Sequence, residues 1–158
     1  IARKLVDENA YGGNAFAFIV LHRGLPVAEA YKPEFDQNTR FLSWSVAKSF
    51  TNALVGLLVK EGRMDISQPA DITEWKGDDR RSITLNNLLQ MQSGLKWNED
   101  YGSRSEVNQM LFEKGDMSSF AVSSQYEYPA GTHWNYSSGT ANIISALIRQ
   151  KFESDTSY

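Results

Sequence analysis

The sequence predicts an α/β (α+β) fold, an antiparallel sheet flanked by helices and continued by a mainly helical region. Two observations predict it. Two β-patterned runs separated by a turn, Ala15–His22 and Val27–Tyr31, lie near the start. From Trp44 onward, apolar residues recur at helical spacing in segment after segment.

The elements follow in order. Residues 1–9 read as the end of a helix, stopped by Tyr11-Gly12-Gly13. Ala15 to His22 is rich in β-formers and reads as a buried strand. Arg23-Gly24-Leu25-Pro26 makes a turn, and Val27–Tyr31 returns as its hairpin partner. A lone hairpin is barely stable in water, so the two strands are expected to belong to a larger sheet. Val46, Ala47, Phe50, Ala53, Leu54, Leu57 and Leu58 then mark a helix, which Gly62 ends. Thr84 caps a short helix through Gln92, closed by Ser93-Gly94. Ser105 or Ser103 caps another that ends near Gly115, and Asp116 starts one more short turn. Pro129-Ala130-Gly131 is a turn. The last amphipathic helix runs from Ser138 to Phe152, with Ile143, Ile144, Leu147 and Ile148 as its apolar stripe.

Composition narrows the function. With 158 residues, the chain is long enough for one domain with a sizeable core. Its net charge of −3 and scattered basic residues give no basis for nucleic-acid binding. There is no cysteine, which excludes disulfides, thiolate metal sites and a cysteine nucleophile. The two histidines, His22 and His133, lie far apart and lack metal-ligand spacing, so no metal is expected. No apolar run reaches the roughly 18 residues of a membrane span. Ile1 to Asn9 carries no signal-peptide core and no initiator Met, so a processed or excised piece is expected. Neither compartment nor oligomeric state follows from the sequence.

The chemistry lies in Ser45-Val46-Ala47-Lys48. Residues i and i+3 share one face of a helix, so a serine in the first turn meets a lysine one turn further in. Backbone N–H groups are unpaired at such a helix start and the dipole is positive, which favours an oxyanion beside Ser45. Lys48 on an apolar helix is a candidate base, since loss of solvation favours a neutral amine. S-x-x-K alone is weak, because about one such match is expected by chance in a chain this long. Ser93-Gly94-Leu95-Lys96 also fits, but Gly94 breaks the helix that the geometry needs.

The flanks give the motif its weight. The run from Thr39 to Thr51 closely resembles the nucleophile region of class C β-lactamases and their esterase relatives, nearest to the branch containing 6-aminohexanoate-dimer hydrolases. Ile83 to Leu95 resembles the family's helix leading into an S-G-L turn, and Asn98-Glu99-Asp100-Tyr101 a short substrate-side segment of the amide-hydrolase branch. Pro129-Ala130-Gly131 followed by Tyr136-Ser137-Ser138-Gly139 resembles its proline-glycine turn and tyrosine box. These segments stand in the family's order along most of the chain.

The resemblance implies a β-lactamase/transpeptidase-like fold and a serine hydrolase that acts on an ester or amide, with no cofactor. Residues 1–158 are then one partial catalytic domain, with the helix end and hairpin in 1–40 and the site-bearing helical region in 41–158. By the same resemblance Ser45 is the nucleophile, and Lys48 and Tyr136 exchange its proton; which of the two takes it first stays open. Tyr101, Ser138 and Trp134 are candidate substrate-side residues, and Trp97 a candidate for lining an acyl pocket. Most relatives carry Asn where this chain has Ser138. Serine offers one hydroxyl in place of an amide's donor and acceptor, which tilts the expectation from β-lactams towards other amides or esters. The family's third box, K-T-G or H-x-G on a strand after the tyrosine, does not occur before Tyr158. His22-Arg23-Gly24 matches it superficially but reads as a hairpin turn.

Rival readings are a Ser-His-Asp hydrolase using His133 or His22, a penicillin-recognising sensor that acylates without turnover, and an inactive interaction protein. The first lacks a G-x-S-x-G elbow. The third is disfavoured by the intact Ser45, Lys48 and Tyr136.

Overall fold

A computed structural model describes residues 1–7, 10 and 14–152. Two compact units divide the chain, residues 1–43 and 44–158. The expected glycine stop at Tyr11-Gly12-Gly13, like residues 8 and 9, lies outside the described residues.

In the first unit α1 spans Ala2–Leu5, and β1 (Ala17–His22) pairs antiparallel with β2 (Leu25–Tyr31). The turn is tighter than the sequence implies. Arg23 and Gly24 both take positive φ, 49° and 79°, the handedness that joins two twisted strands in two residues. Leu25 and Pro26 therefore sit inside β2. Pro26 has no N–H to give the ladder, and the register shifts beside it, between Val20 and Leu21. His22-Arg23-Gly24 is thus the hairpin turn, as expected.

The expected burial of β1 is corrected: Ile19 and Leu21 are 53% and 66% exposed. Among the described residues the sheet has two strands. Phe16, Phe35 and Phe41 form an aromatic cluster in this unit, with Phe16 and Phe35 edge to face at 5.1 Å.

The second unit begins with a 3-10 turn at Trp44–Val46 that runs into α2 (Ala47–Lys60). Gly62 follows with φ 70°, as a glycine beyond a helix C-terminus should. Val55 and Leu58 bury against the core, whereas Val46, Phe50, Leu54 and Leu57 form a second, exposed apolar stripe.

Further helices are α3 (Leu85–Leu89), α4 (Glu106–Glu113), α5 (Met117–Val122) and α6 (Ser138–Arg149). Each starts on a side-chain cap. Thr84 and Asn87 close a capping box on α3, Ser105 rather than Ser103 caps α4, Asp116 caps α5 and Ser137 caps α6. Two helices end earlier than their sequence patterns. α3 stops at Leu89 because Met91 turns to φ 57°, and α6 stops at Arg149 instead of Phe152.

Packing centres on α6, which lies against α2, α3, α4 and α5. Its predicted stripe of Ile143, Ile144, Leu147 and Ile148 is buried, together with Trp75, Ile83, Leu88, Val107 and Met110. The Trp75 indole donates to Val122 O at 2.9 Å, so the largest buried side chain satisfies its one polar atom. Arg80, held by Asp78, donates to Val122 O and Ser124 O at 3.0 and 3.2 Å, satisfying carbonyls at the end of α5. Among the described residues no helix is long and apolar enough to cross a membrane.

Candidate active site

Ser45 sits in the 3-10 turn that opens α2, and Lys48 lies in the helix's first turn. Lys48 Nζ donates to Ser45 Oγ at 3.2 Å, the contact that i, i+3 spacing predicts. Ser45 is exposed and Lys48 half-buried. Trp44, just before the serine, holds a positive φ of 46°, a conformation that costs a non-glycine residue roughly 1–3 kcal/mol and that clusters at functional sites.

A second wall comes from the start of α6. Two turns brace the segment leading to it: Gly131 N–H donates to Gln92 O, and Asn135 N–H to Met91 O, both at 2.8 Å. The Ser137 hydroxyl accepts from Thr140 N–H at 2.9 Å, which fixes the first turn. Ser138 then presents its side chain to Lys48, whose Nζ donates to Ser138 Oγ at 3.0 Å. Tyr136 sits beside them with its ring centroid 5.0 Å from Lys48 Nζ, a cation–π contact. Ser45, Lys48, Tyr136 and Ser138 thus meet around the Lys48 Nζ.

The third wall is the loop 97–105. Its backbone is fixed by its own side chains: Asn98 accepts from Asp100 N–H at 2.9 Å, and Asp100 from Gly102 N–H at 2.8 Å. Asn108 Nδ2 on α4 donates to Tyr101 O at 3.1 Å. The loop packs tightly under α6. A Cβ on Gly139 would lie 2.5 Å from the Trp97 ring, so only glycine lets helix and indole approach this closely.

Glu99 stands where these walls join. It accepts from the Trp97 indole at 2.6 Å, the Tyr101 hydroxyl at 3.0 Å and the Ser138 backbone N–H at 2.9 Å. The Ser138 hydroxyl donates to it as well. Burial works against ionisation of Glu99, but these donors outweigh it and hold the carboxyl below its usual range. One of the four is a helix N-terminal N–H that lacks a partner within α6, so the carboxylate also faces the positive end of the helix dipole. Tyr101 shifts the other way. Burial above all pushes its phenol up; the Ser138 hydroxyl pulls it down, and the bond to Glu99 with the charges of Glu99 and Tyr136 adds to the upward shift.

The sequence reading named Tyr101 and Ser138 but passed over Glu99. Its signal was present in Trp97-x-Glu99-x-Tyr101, where alternate residues converge on one carboxylate. Trp134 is 61% exposed and its ring lies 6.4 Å from that of Tyr136, at the rim of this cluster. Trp97 is buried packing, with only its indole N–H turned to the site. The rival Ser93–Lys96 pair is not helical. Ser93 is 6% exposed, and Gly94 has φ 75° with the Tyr128 carbonyl 1.9 Å from where a Cβ would stand. His133 stacks on Tyr128 at 4.2 Å. Among the described residues no three His, Asp or Glu side chains are grouped to hold a metal ion.

Comparison with known proteins agrees with this architecture. A 6-aminohexanoate-dimer hydrolase of Paenarthrobacter ureafaciens is 37% identical over 87 residues, 54% of this chain and 22% of the relative. A solved structure described as a putative 6-aminohexanoate-dimer hydrolase from Bacillus anthracis superposes with a TM-score of 0.75 at 24% identity, over 96% of this chain and 42% of that one. The chain therefore spans about a fifth and two fifths of these two proteins, and the second likeness establishes the fold. The family model for Beta-lactamase matches residues 1–157, and the chain belongs to that family.

Proposed function

We propose that this chain carries the nucleophile and proton-transfer groups of a serine hydrolase that cleaves an ester or amide through an acyl-enzyme on Ser45. The observation that carries the reading is the Ser45–Lys48 contact of 3.2 Å at a helix start, with Lys48 held by Ser138 and facing the Tyr136 ring. Ser45 Oγ attacks the carbonyl carbon while its proton passes to the Lys48–Tyr136 pair. Ser45 N–H is one donor to the resulting oxyanion. The bond to the leaving oxygen or nitrogen then breaks, and the leaving group takes the proton. Water attacks the serine ester with the same pair as base, releases a carboxylic acid and restores the Ser45 hydroxyl.

Two considerations point to linear amides and simple esters over β-lactams. The relative that is 37% identical over 87 residues is named a 6-aminohexanoate-dimer hydrolase, not a β-lactamase. Ser138 presents one hydroxyl, and its proton is already given to Glu99, so it has no amide-like donor to offer a β-lactam.

Intact mass tests the reading. The full-length protein is mixed with a p-nitrophenyl ester, and separately with benzylpenicillin, and sampled over time. A transient adduct on Ser45 with the ester, faster than any with penicillin, is the expected result. A persistent penicillin adduct would favour a sensor that acylates without turnover. No adduct with either probe would overturn the reading.

A further inference from the structure

We propose that Glu99 is a positioning residue for the Ser45–Lys48 pair, acting through the Ser138 hydroxyl; this role rests on the serine-hydrolase reading above. The Ser138 hydroxyl owns one proton and gives it to Glu99. Its oxygen is left with lone pairs only, so towards Lys48 it can act solely as acceptor. Lys48 must therefore keep one N–H aimed at Ser138, 3.0 Å away, while it reaches Ser45 at 3.2 Å. Reversing the Ser138 hydroxyl would leave Glu99 short of a donor in a half-buried site.

The carboxylate itself cannot swing away. Trp97, Tyr101 and the Ser138 backbone hold it from two different segments of chain. Among the described residues no direct ion pair joins Glu99 to Lys48. The negative charge reaches the lysine through a polarised hydroxyl, which makes Ser138 a stronger acceptor than an isolated serine.

A chemical consequence follows. Where Lys48 is the member of the pair that takes the Ser45 proton, it acts as a neutral amine with the Ser45–Lys48 hydrogen bond reversed, and the Glu99 charge stabilises the ammonium that forms. Glu99 thus favours the transition state of acylation, and removing its charge should change the pH dependence of that step. The titratable groups facing the network are Tyr101 beside Glu99 on its loop, Lys48 on α2, and Tyr136 ahead of α6.

The test is single-turnover acylation of the full-length protein by a p-nitrophenyl ester across the pH range, with Ser45→Ala as blank. Glu99→Gln should lower the plateau rate by about tenfold or more and move the rising limb about one pH unit lower, because a stabilising negative charge has gone. Glu99→Asp keeps the charge and shortens its reach, so it should lower the plateau but leave the limb in place. An unmoved limb in Glu99→Gln, in protein that is folded by circular dichroism, would reduce Glu99 to a structural tie and overturn the proposal. If Glu99→Gln does not fold, Ser138→Ala and Ser138→Thr decide. Loss in Ala with recovery in Thr supports the hydroxyl link, and equal loss in both sinks it. A wild-type rate equal to the Ser45→Ala blank would instead be a failure of the hydrolase reading itself.

Discussion

Lys48 Nζ lies 3.0 Å from Ser138 Oγ, a contact that spans 90 residues of sequence. It ties α2 to the start of α6, the helix at the centre of the core. The caps that begin each helix and the glycine that lets α6 settle on Trp97 therefore bear directly on where Lys48 Nζ stands.

The two S-x-x-K matches differ in geometry, and this gives the first prediction. Ser45→Ala should abolish covalent labelling by an activated ester, whereas Ser93→Ala should leave it intact. Ser93 is buried, and its hydroxyl accepts from Leu95 N–H at 3.3 Å, so it is part of a turn. Peptide mapping after labelling reads the result, and adduct on Ser93 would reverse the assignment.

Tyr136→Phe removes one oxygen and keeps the ring that faces Lys48 at 5.0 Å. The melting temperature should change little. Acylation should fall by about a hundredfold or more, the contribution of a positioned proton-transfer group. Wild-type acylation in this variant would take the Tyr136 hydroxyl out of the mechanism and leave Lys48 as the sole candidate base.

What was legible in the sequence was local or periodic. Thr84, Ser105 and Asp116 announce helix starts because their oxygens reach N–H groups three residues on. The stripe on α6 was legible because one buried face repeats at the helical period. Ser45 and Lys48 meet within a single turn, so spacing alone foretold their contact. The misreadings have a common cause. An apolar run such as Ala15–His22 shows what its side chains prefer, not whether a neighbouring layer is present to cover them. On α2 the pattern carried two apolar stripes, and spacing could not tell that Val55 and Leu58 take the core while Phe50 and Leu57 stay exposed. Glu99 was missed because its contacts to Ser138 cross 39 residues.

Asp116 offers a titration. Its carboxylate accepts from Ser119 Oγ at 2.6 Å, Ser119 N–H at 2.9 Å and Ser118 Oγ at 2.8 Å at the start of α5. These bonds push it down to about 2 from the usual 3.8. A carboxyl with a lower value folded than unfolded stabilises the fold above its unfolded value, and that stabilisation is lost as pH falls through the folded one. Asp116→Asn should therefore lower the melting temperature at pH 6, and the gap from wild type should close between about pH 4 and pH 2. A gap independent of pH would mean that the cap acts without its charge.

Gly139 tests how closely the core and the site are linked. A methyl group there would press on three atoms of the Trp97 ring, at 2.5, 2.6 and 2.8 Å. The ring cannot yield freely, because its N–H is bound to Glu99 and its backbone carbonyl accepts from Asn135 Nδ2 at 2.9 Å. Gly139 has ordinary helical φ, so alanine is not strained there and would by propensity favour the helix by about 1 kcal/mol. Overpacking should outweigh that gain, with a net loss of about 1–3 kcal/mol in denaturant unfolding. The displacement should pass from Trp97 to Glu99 and on to Ser138 and Lys48, so acylation of Ser45 should fall in protein that is still folded. Trp97→Phe removes the indole N–H and lightens the contact. Combined with Gly139→Ala, it should recover part of the stability but not the acylation rate, because Glu99 is then short of one donor. If the double variant recovers both, the loss in Gly139→Ala came from packing alone.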